Sequence, residues 1–320
     1  MLKKIYPEFW SKRSFTSGIL LPFSCLYIAA SYLRKYFAKP IRLDAKVICV
    51  GNISVGGTGK TQVTYWLANI LKQRNIELLI ICKNYRGSLK KATIVNTHHS
   101  PEQVGDEAKY LSQFHPVIAA NSPLECADLI ASQKPEIVIL DDFMQNPHIH
   151  KDFTLLVIDS MRLFGNNRIL PAGPLRQLPS SAARYIDASI FIGSKHINYN
   201  VASLLSPNRA WFSAKITSKQ DFDLSKQYIA FAGVGNPERF FQCLLEKGLF
   251  LSKRIIFPDH HQYSASEILD LHNQAASLNA ILITTPKDAI KLNIAVLVFA
   301  PELEISSTTT ERILQLLRIL

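Results

Sequence analysis

Residues 50–61, VGNISVGGTGKT, constrain this chain more than any other stretch. A β-branched apolar run ending at Val50 passes through three glycines into a helical pattern that opens at Lys60 and Thr61. Strand, glycine-rich turn and helix in that order bring backbone amides and a helix N-terminus together on a phosphate. The usual pattern has glycine where Ser54 stands, so the loop of Ser54, Val55, Gly56, Gly57, Thr58, Gly59, Lys60 and Thr61 is a variant of it. Its glycines permit close backbone approach, Lys60 reaches the β- and γ-phosphates, and Thr61 offers a hydroxyl to Mg²⁺. The segment is therefore read as a site for ATP and Mg²⁺.

A metal partner should end a neighbouring strand. In EIVILDDFMQN, residues 136–146, an apolar run enters Asp141 and Asp142 directly. Asp141 is the expected Mg²⁺ ligand, and Asp142 orients it or contacts substrate. From residue 46 onward, short apolar runs alternate with helical patterns, the signature of a parallel α/β sheet. The expected strands are 46–51, 77–82, 116–120, 136–140, 154–159 and 188–193. A polar, serine-rich stretch near 200–226 reads as a connection, and a second βα series follows it. Asn236 and Pro237 mark a helix start within that series. The expected architecture is a P-loop NTPase-like parallel sheet domain over 41–220, with a smaller α/β domain over 221–320 closing over the site. Residues 1–40 precede them as a basic, apolar, membrane-associated segment.

That segment concentrates the charge. The chain is 320 residues long with a formal net charge of +11, and residues 1–46 hold nine Lys and Arg against Glu8 and Asp44. Such a balance suits anionic partners: nucleic acid, phosphorylated ligands or an acidic membrane face. GILLPFSCLYIAASYLRKYF, residues 18–37, lies between basic flanks, but its unbroken apolar core contains Pro22 and is too short to span a bilayer. It reads as a cleaved signal peptide after the charged start MLKK, as a soluble core helix, or as an interfacial helix. The last is favoured because aromatic and aliphatic residues are bordered by Lys and Arg at both ends. Five scattered cysteines without a CxxC pair fit buried thiols in a reducing compartment, with no zinc or disulfide framework.

Several further segments occur in a telling order: VGDEA (104–108), DDFMQN (141–146), LPAGPLR (170–176), AGVGNPERFF (232–241), FPDHH (257–261) and TTPKDAIKL (284–292). With the glycine loop they resemble the tetraacyldisaccharide 4'-kinase family, the lipid A 4'-kinases of Gram-negative bacteria. The resemblance implies ATP- and Mg²⁺-dependent transfer of the γ-phosphate to the 4'-hydroxyl of a tetraacylated glucosamine disaccharide 1-phosphate, giving lipid IVA. It implies peripheral attachment to the cytoplasmic face of the inner membrane, and no nucleic-acid partner. Asp106 of GDE then becomes the candidate base, assisted by a histidine of FPDHH, with His260 fitting the pattern better than His261. Read without the resemblance, Asp106 is equally a first-turn helix acid favoured by the dipole. Arg176, in the Gly/Pro-rich loop that also carries Arg162, Arg168 and Arg184, is assigned to the acceptor headgroup or its 1-phosphate. Asn146 is a second acceptor contact.

The chain departs from the family at Phe143, where glycine is usual, at Asn146, where histidine is usual, and at Pro286, where glutamate is usual. Lys83 and Asn84 stand where Arg-Gly is commoner, which leaves Arg86 without an assigned role. Two other classes compete with the kinase. A P-loop GTPase or metal-delivery factor would carry a guanine-reading Asn/Thr-Lys-x-Asp segment, and TTPKDAIKL has only part of it. A membrane-associated nucleotide sensor would bind without transferring.

Overall fold

The computed structural model describes residues 6–193 and 210–319. They divide into two compact units, one of residues 216–302 and one of residues 6–193, 210–215 and 303–319. The charged start at Lys3 and Lys4 lies outside the described residues.

The larger unit opens with α1 (Phe15–Ile19) and α2 (Leu21–Tyr36). It continues with β1 (Lys46–Gly51), α3 (Lys60–Gln73), β2 (Leu78–Lys83), β3 (Thr93–Ile94), α4 (Pro101–Val104) and α5 (Asp106–Leu111). Next come β4 (Val117–Ala120), α6 (Ala127–Gln133), β5 (Ile137–Asp141), β6 (Phe153–Asp159), α7 (Pro179–Ala182) and β7 (Ala188–Ile192). After β8 (Ala210–Thr217), the smaller unit supplies β9 (Gln227–Ala232), α8 (Pro237–Glu246), β10 (Phe250–Ile256), α9 (Ala265–Ser277), β11 (Ala280–Thr284), α10 (Pro286–Ala289) and β12 (Leu297–Val298). β13 (Glu302–Glu304) and α11 (Ser307–Leu316) end the chain.

The main sheet runs β13-β8-β7-β6-β1-β5-β2-β4-β3, and the smaller one β10-β9-β11-β12. From β8 to β4 the neighbours in the main sheet are parallel; β3 is antiparallel to β4. Continuous Val/Ile/Leu runs follow from that arrangement, because helices and loops cover both faces. All of β5 and β6 is buried. The chain leaves β1 for β2, returns to place β5 between them, then puts β6 on the other side of β1. The carboxyl end of β1 therefore opens at a topological switch point, where such sheets bind ligands.

The polar stretch read as a connection contains a strand, β8, from residue 210; residues 200–209 of that stretch lie outside the described ones. Alternating exposure along β8 and its serine and lysine disguise it in the sequence. The cysteine reading also needs one correction: Cys49, Cys82, Cys126 and Cys243 are buried free thiols, but Cys25 on α2 is exposed.

Among the described residues no helix is long and apolar enough to cross a membrane. α2 is amphipathic in an inverted sense. Its one fully buried side chain is Ser24, whose Oγ donates to the Ile169 carbonyl at 2.8 Å. Phe23, Leu26, Tyr32, Leu33 and Tyr36 are all more than half exposed, as are Phe15 on α1 and Phe37 just past the end of α2. A helix that buries Ser24, packs Tyr27 against the main core and leaves its other aromatics exposed presents an interaction surface.

Candidate active site

Parallel register fixes where the chemistry gathers. Val50 stands opposite Asp141, and Asp141 opposite Cys82, so β1, β5 and β2 deliver their carboxyl ends to one edge. The glycine loop springs from that edge. Gly59 is the N-cap of α3, at φ 97°, and no side chain caps the helix's first turn. A helix start of this kind offers its amides and its positive dipole end to an anion. Gly56, at φ 109°, is the loop's other left-handed residue, and there a side chain would be strained.

Ser54 explains itself in this geometry. It is outside the left-handed region, so the first position of the loop does not require glycine here. Instead Ser54 forms an antiparallel bridge with Leu175, while Val55 donates to the Pro174 carbonyl at 2.8 Å and Arg176 N–H to the Ile53 carbonyl at 2.7 Å. The PAGPLR segment is thus clipped to the front of the phosphate loop as a short two-stranded ribbon.

That clip aims Arg176 at the paired aspartates. Its Nη1 lies 3.0 Å from Asp142 Oδ1, and Lys60 Nζ lies 3.6 Å from the same oxygen. Burial pushes the Asp142 pKa up, but Lys60, Arg176 and Lys83 outweigh it and hold the carboxyl below the usual carboxylate range. Burial lowers the Lys83 pKa, as do Arg176, Arg34 and Lys60, against the opposing pull of Asp142. Asp142 has φ 64°, a conformation that aspartate tolerates better than most residues. Phe143 has no such φ; it is buried in the main core, so the glycine usual there is unnecessary in this backbone.

Asp141 is buried, and its Oδ1 accepts from Thr64 Oγ1 at 3.3 Å. Thr61 is buried in the first turn of α3. Hydroxyl and carboxylate are the hard oxygen donors that suit Mg²⁺, an ion that takes few protein ligands and completes its shell with water and phosphate. Among the described residues no group of three or more His, Cys, Asp or Glu gathers as a metal site. Thr61 and Asp141, a hydroxyl and a carboxylate, fit Mg²⁺ carried with a nucleotide.

Asp106 is buried as the first residue of α5, behind Gly105, where an added Cβ would lie 3.2 Å from the Tyr85 carbonyl oxygen. Asn146 uses its Oδ1 to accept from the His148 N–H at 2.9 Å. His260 belongs to the smaller unit. It has φ 60°, donates its N–H to the Gly233 carbonyl, and has Nε2 3.8 Å from Asp259 Oδ1. His261 Nε2 is 3.0 Å from Glu267 Oε1, and its ring stacks on Phe257.

Sequence reasoning assigned no site role to four residues that share the larger unit's site. Gln145 donates to the Asn52 carbonyl and accepts from Arg176, and Asn52 in turn donates to Thr58 Oγ1. Arg162 Nη1 lies 3.4 Å from where a Cβ on Gly56 would stand. Lys83 was findable, since it ends β2 as Asp141 ends β5. The amide side chains carry no such signal.

A parallel sheet with a glycine loop at its switch point, a loop lysine and strand-end aspartates defines a P-loop nucleotide-binding protein. The family model described as tetraacyldisaccharide-1-P 4'-kinase matches residues 16–318. The tetraacyldisaccharide 4'-kinase of Rickettsia rickettsii (strain Sheila Smith) is 47% identical over 294 residues, covering 92% of this chain and 91% of that protein. The enzyme of the same name from Rickettsia akari (strain Hartford) is 45% identical over 295 residues, covering 92% and 90%. A crystal structure of the "apo" form of LpxK from Aquifex aeolicus, in complex with ATP, superposes with a TM-score of 0.73 at 28% identity, covering 94% of this chain and 98% of that one. The chain belongs to the tetraacyldisaccharide-1-P 4'-kinase family. It is an ATP-dependent kinase of lipid A biosynthesis, and the GTPase and sensor alternatives are not favoured.

Proposed function

We propose that residues 54–61 hold the triphosphate of ATP, with Lys60 on the β- and γ-phosphates, and that Asp106 takes the proton of the acceptor's 4'-hydroxyl. What supports the first part is the shared edge of the sheet: the loop's Lys60 lies within salt-bridge distance of Asp142, which Arg176 also engages, and Asp141 ends the neighbouring strand β5. Thr61 and Asp141 would hold Mg²⁺, which supplies charge neutralisation at the phosphates. Asp142, kept ionised by its basic neighbours, holds Lys60 and Arg176 in place and orients them toward incoming phosphate oxygens. Arg176 serves the acceptor's headgroup or 1-phosphate. Asn146, whose Oδ1 is committed to a turn, has its Nδ2 to donate to the same ligand.

In this reading His260 is the histidine that assists the base. His261 is the weaker choice, because Glu267 already engages its Nε2. A carboxylate assisted by imidazole contributes about 10²–10⁴ in rate. The basic, apolar N-terminal segment seats on the anionic cytoplasmic leaflet of the inner membrane. The exposed aromatic face of α2, with Lys12, Arg13, Arg34, Lys35 and Lys39 around it, matches such a surface in both hydropathy and charge.

The test is transfer of the γ-phosphate from labelled ATP to the acylated disaccharide 1-phosphate. Asp106→Ala should lower kcat by about 10²–10⁴ with ATP affinity retained. An unchanged kcat removes Asp106 from the reaction.

A further inference from the structure

The last turn of α2 grips both sides of Arg176. Arg34 Nη2 donates to the Gln145 carbonyl at 2.6 Å. Lys35 Nζ donates to Gln177 Oε1 at 3.2 Å and lies 5.3 Å from the centre of the Tyr185 ring. Gln177 is next to Arg176 in the chain. Gln145 touches Arg176 directly, its Oε1 accepting from Nη1 at 3.3 Å. Its Nε2 donates to the Asn52 carbonyl at 2.6 Å, at the entry to the phosphate loop. One glutamine therefore bonds the apolar-faced helix, the acceptor-site arginine and the nucleotide loop.

The same turn of α2 exposes Tyr32, Leu33, Tyr36 and Phe37. Two cations at a helix C-terminus are favoured by its dipole, and a charged donor on a carbonyl makes a short, strong bond. A displacement of this turn that keeps those bonds moves the Gln145 carbonyl with it. Through the Gln145 side chain, that movement reaches Arg176 and Asn52.

We propose that Arg34 and Gln145 are positioning residues that couple the seating of α2 on an anionic lipid surface to the placement of Arg176 and the phosphate loop. Phosphate transfer is then faster on a bilayer-borne acceptor than on the same acceptor dispersed in neutral detergent. The inference rests on the interfacial reading of α2 given above. Its rival is a plain tether, in which Arg34 only adds charge that holds the protein near lipid.

The experiment uses the full chain with vesicles of phosphatidylglycerol and phosphatidylethanolamine carrying the acylated disaccharide 1-phosphate, compared with neutral micelles carrying the same acceptor. The unmodified chain should sediment with the vesicles and show the higher kcat there at saturating lipid. Arg34→Met and Gln145→Ala should each lower that kcat about tenfold, within the range found for coupling residues, and leave the KM for ATP unchanged. The double variant should be no slower than the slower single one, because the two residues act in series. If Arg34→Met weakens vesicle binding or raises the acceptor KM while kcat at saturating lipid is retained, Arg34 is a tether and the coupling is overturned. Additive losses in the double variant overturn it too. Failure of the unmodified chain to bind vesicles sinks the interfacial reading itself, whereas binding with equal kcat on vesicles and micelles sinks only the coupling.

Discussion

Asp142 and Asp288 are both aspartates beside lysines, and they show how differently one side chain is used in the two units. Asp288 is wholly buried. It accepts from Tyr263 Oη at 2.9 Å, Thr285 Oγ1 at 2.7 Å and Gly233 N–H at 3.1 Å, with Lys291 Nζ at 3.3 Å and likewise buried. Four donors match the roughly four acceptor sites of a carboxylate, so nothing is left for a ligand. Asp142 is partly exposed at the ligand edge, in a left-handed conformation, with cations that a phosphate could also engage. Saturation marks the first as structural, and the open edge leaves the second within reach of a ligand.

The comparison breaks most sharply at Asp288. Asp288→Ala leaves Lys291 buried without its carboxylate and should cost about 3–5 kcal/mol of stability in the smaller unit, read by denaturant unfolding. A loss of activity without a loss of stability would move Asp288 into the chemistry. At the ligand edge, packing should matter next. A Cβ on Gly51 would stand 2.5 Å from Met144 Cβ, so Gly51→Ala should cost about 1–3 kcal/mol by forcing the turn after Asp142 outward. A neutral effect in thermal unfolding would show that this turn is loosely held.

A third effect sharpens the comparison through pH. Burial, with a smaller contribution from Lys72, pushes the His115 pKa down to about 4. Its Nε2 is 3.0 Å from Asn69 Oδ1, while its Nδ1 is buried without a partner. The unfolded chain binds a proton here near the ordinary pH of 6.5 and the folded one only near 4, so this contribution is complete above 6.5 and declines toward 4. The Asp142 carboxyl, held low, stays ionised over most of that window. The melting temperature should therefore fall across this interval, and His115→Gln should remove much of the slope. A slope unaffected by that substitution would assign the acid lability to the aspartate clusters instead.

How much of this was readable in the chain depended on distance along it. The phosphate loop, Asp141 and Asp142 were legible because each lies where an apolar run stops, a local signal. Pro286 was legible only as an oddity. In the fold it occupies the first position of α10 behind the Thr285 cap, where a missing N–H costs little. Strand β8 was hidden by its half-exposed, serine-bearing pattern. The link from Arg34 to Gln145 was illegible, because it joins residues 111 positions apart through a carbonyl that every residue possesses. The inverted amphipathicity of α2 was half visible: its apolar length showed in the sequence, but the burial of Ser24 needed the 166–177 loop in place.

The most direct measurement is kcat for phosphate transfer to the acylated disaccharide by Asp142→Asn and Asp288→Asn, each compared at equal folded fraction. If Asp142 organises the reacting edge, its variant loses about 10²–10³ in kcat with its melting temperature nearly unmoved, while the Asp288 variant melts earlier and retains its kcat when folded. Retained kcat in Asp142→Asn would contradict the placement of the chemistry at that edge.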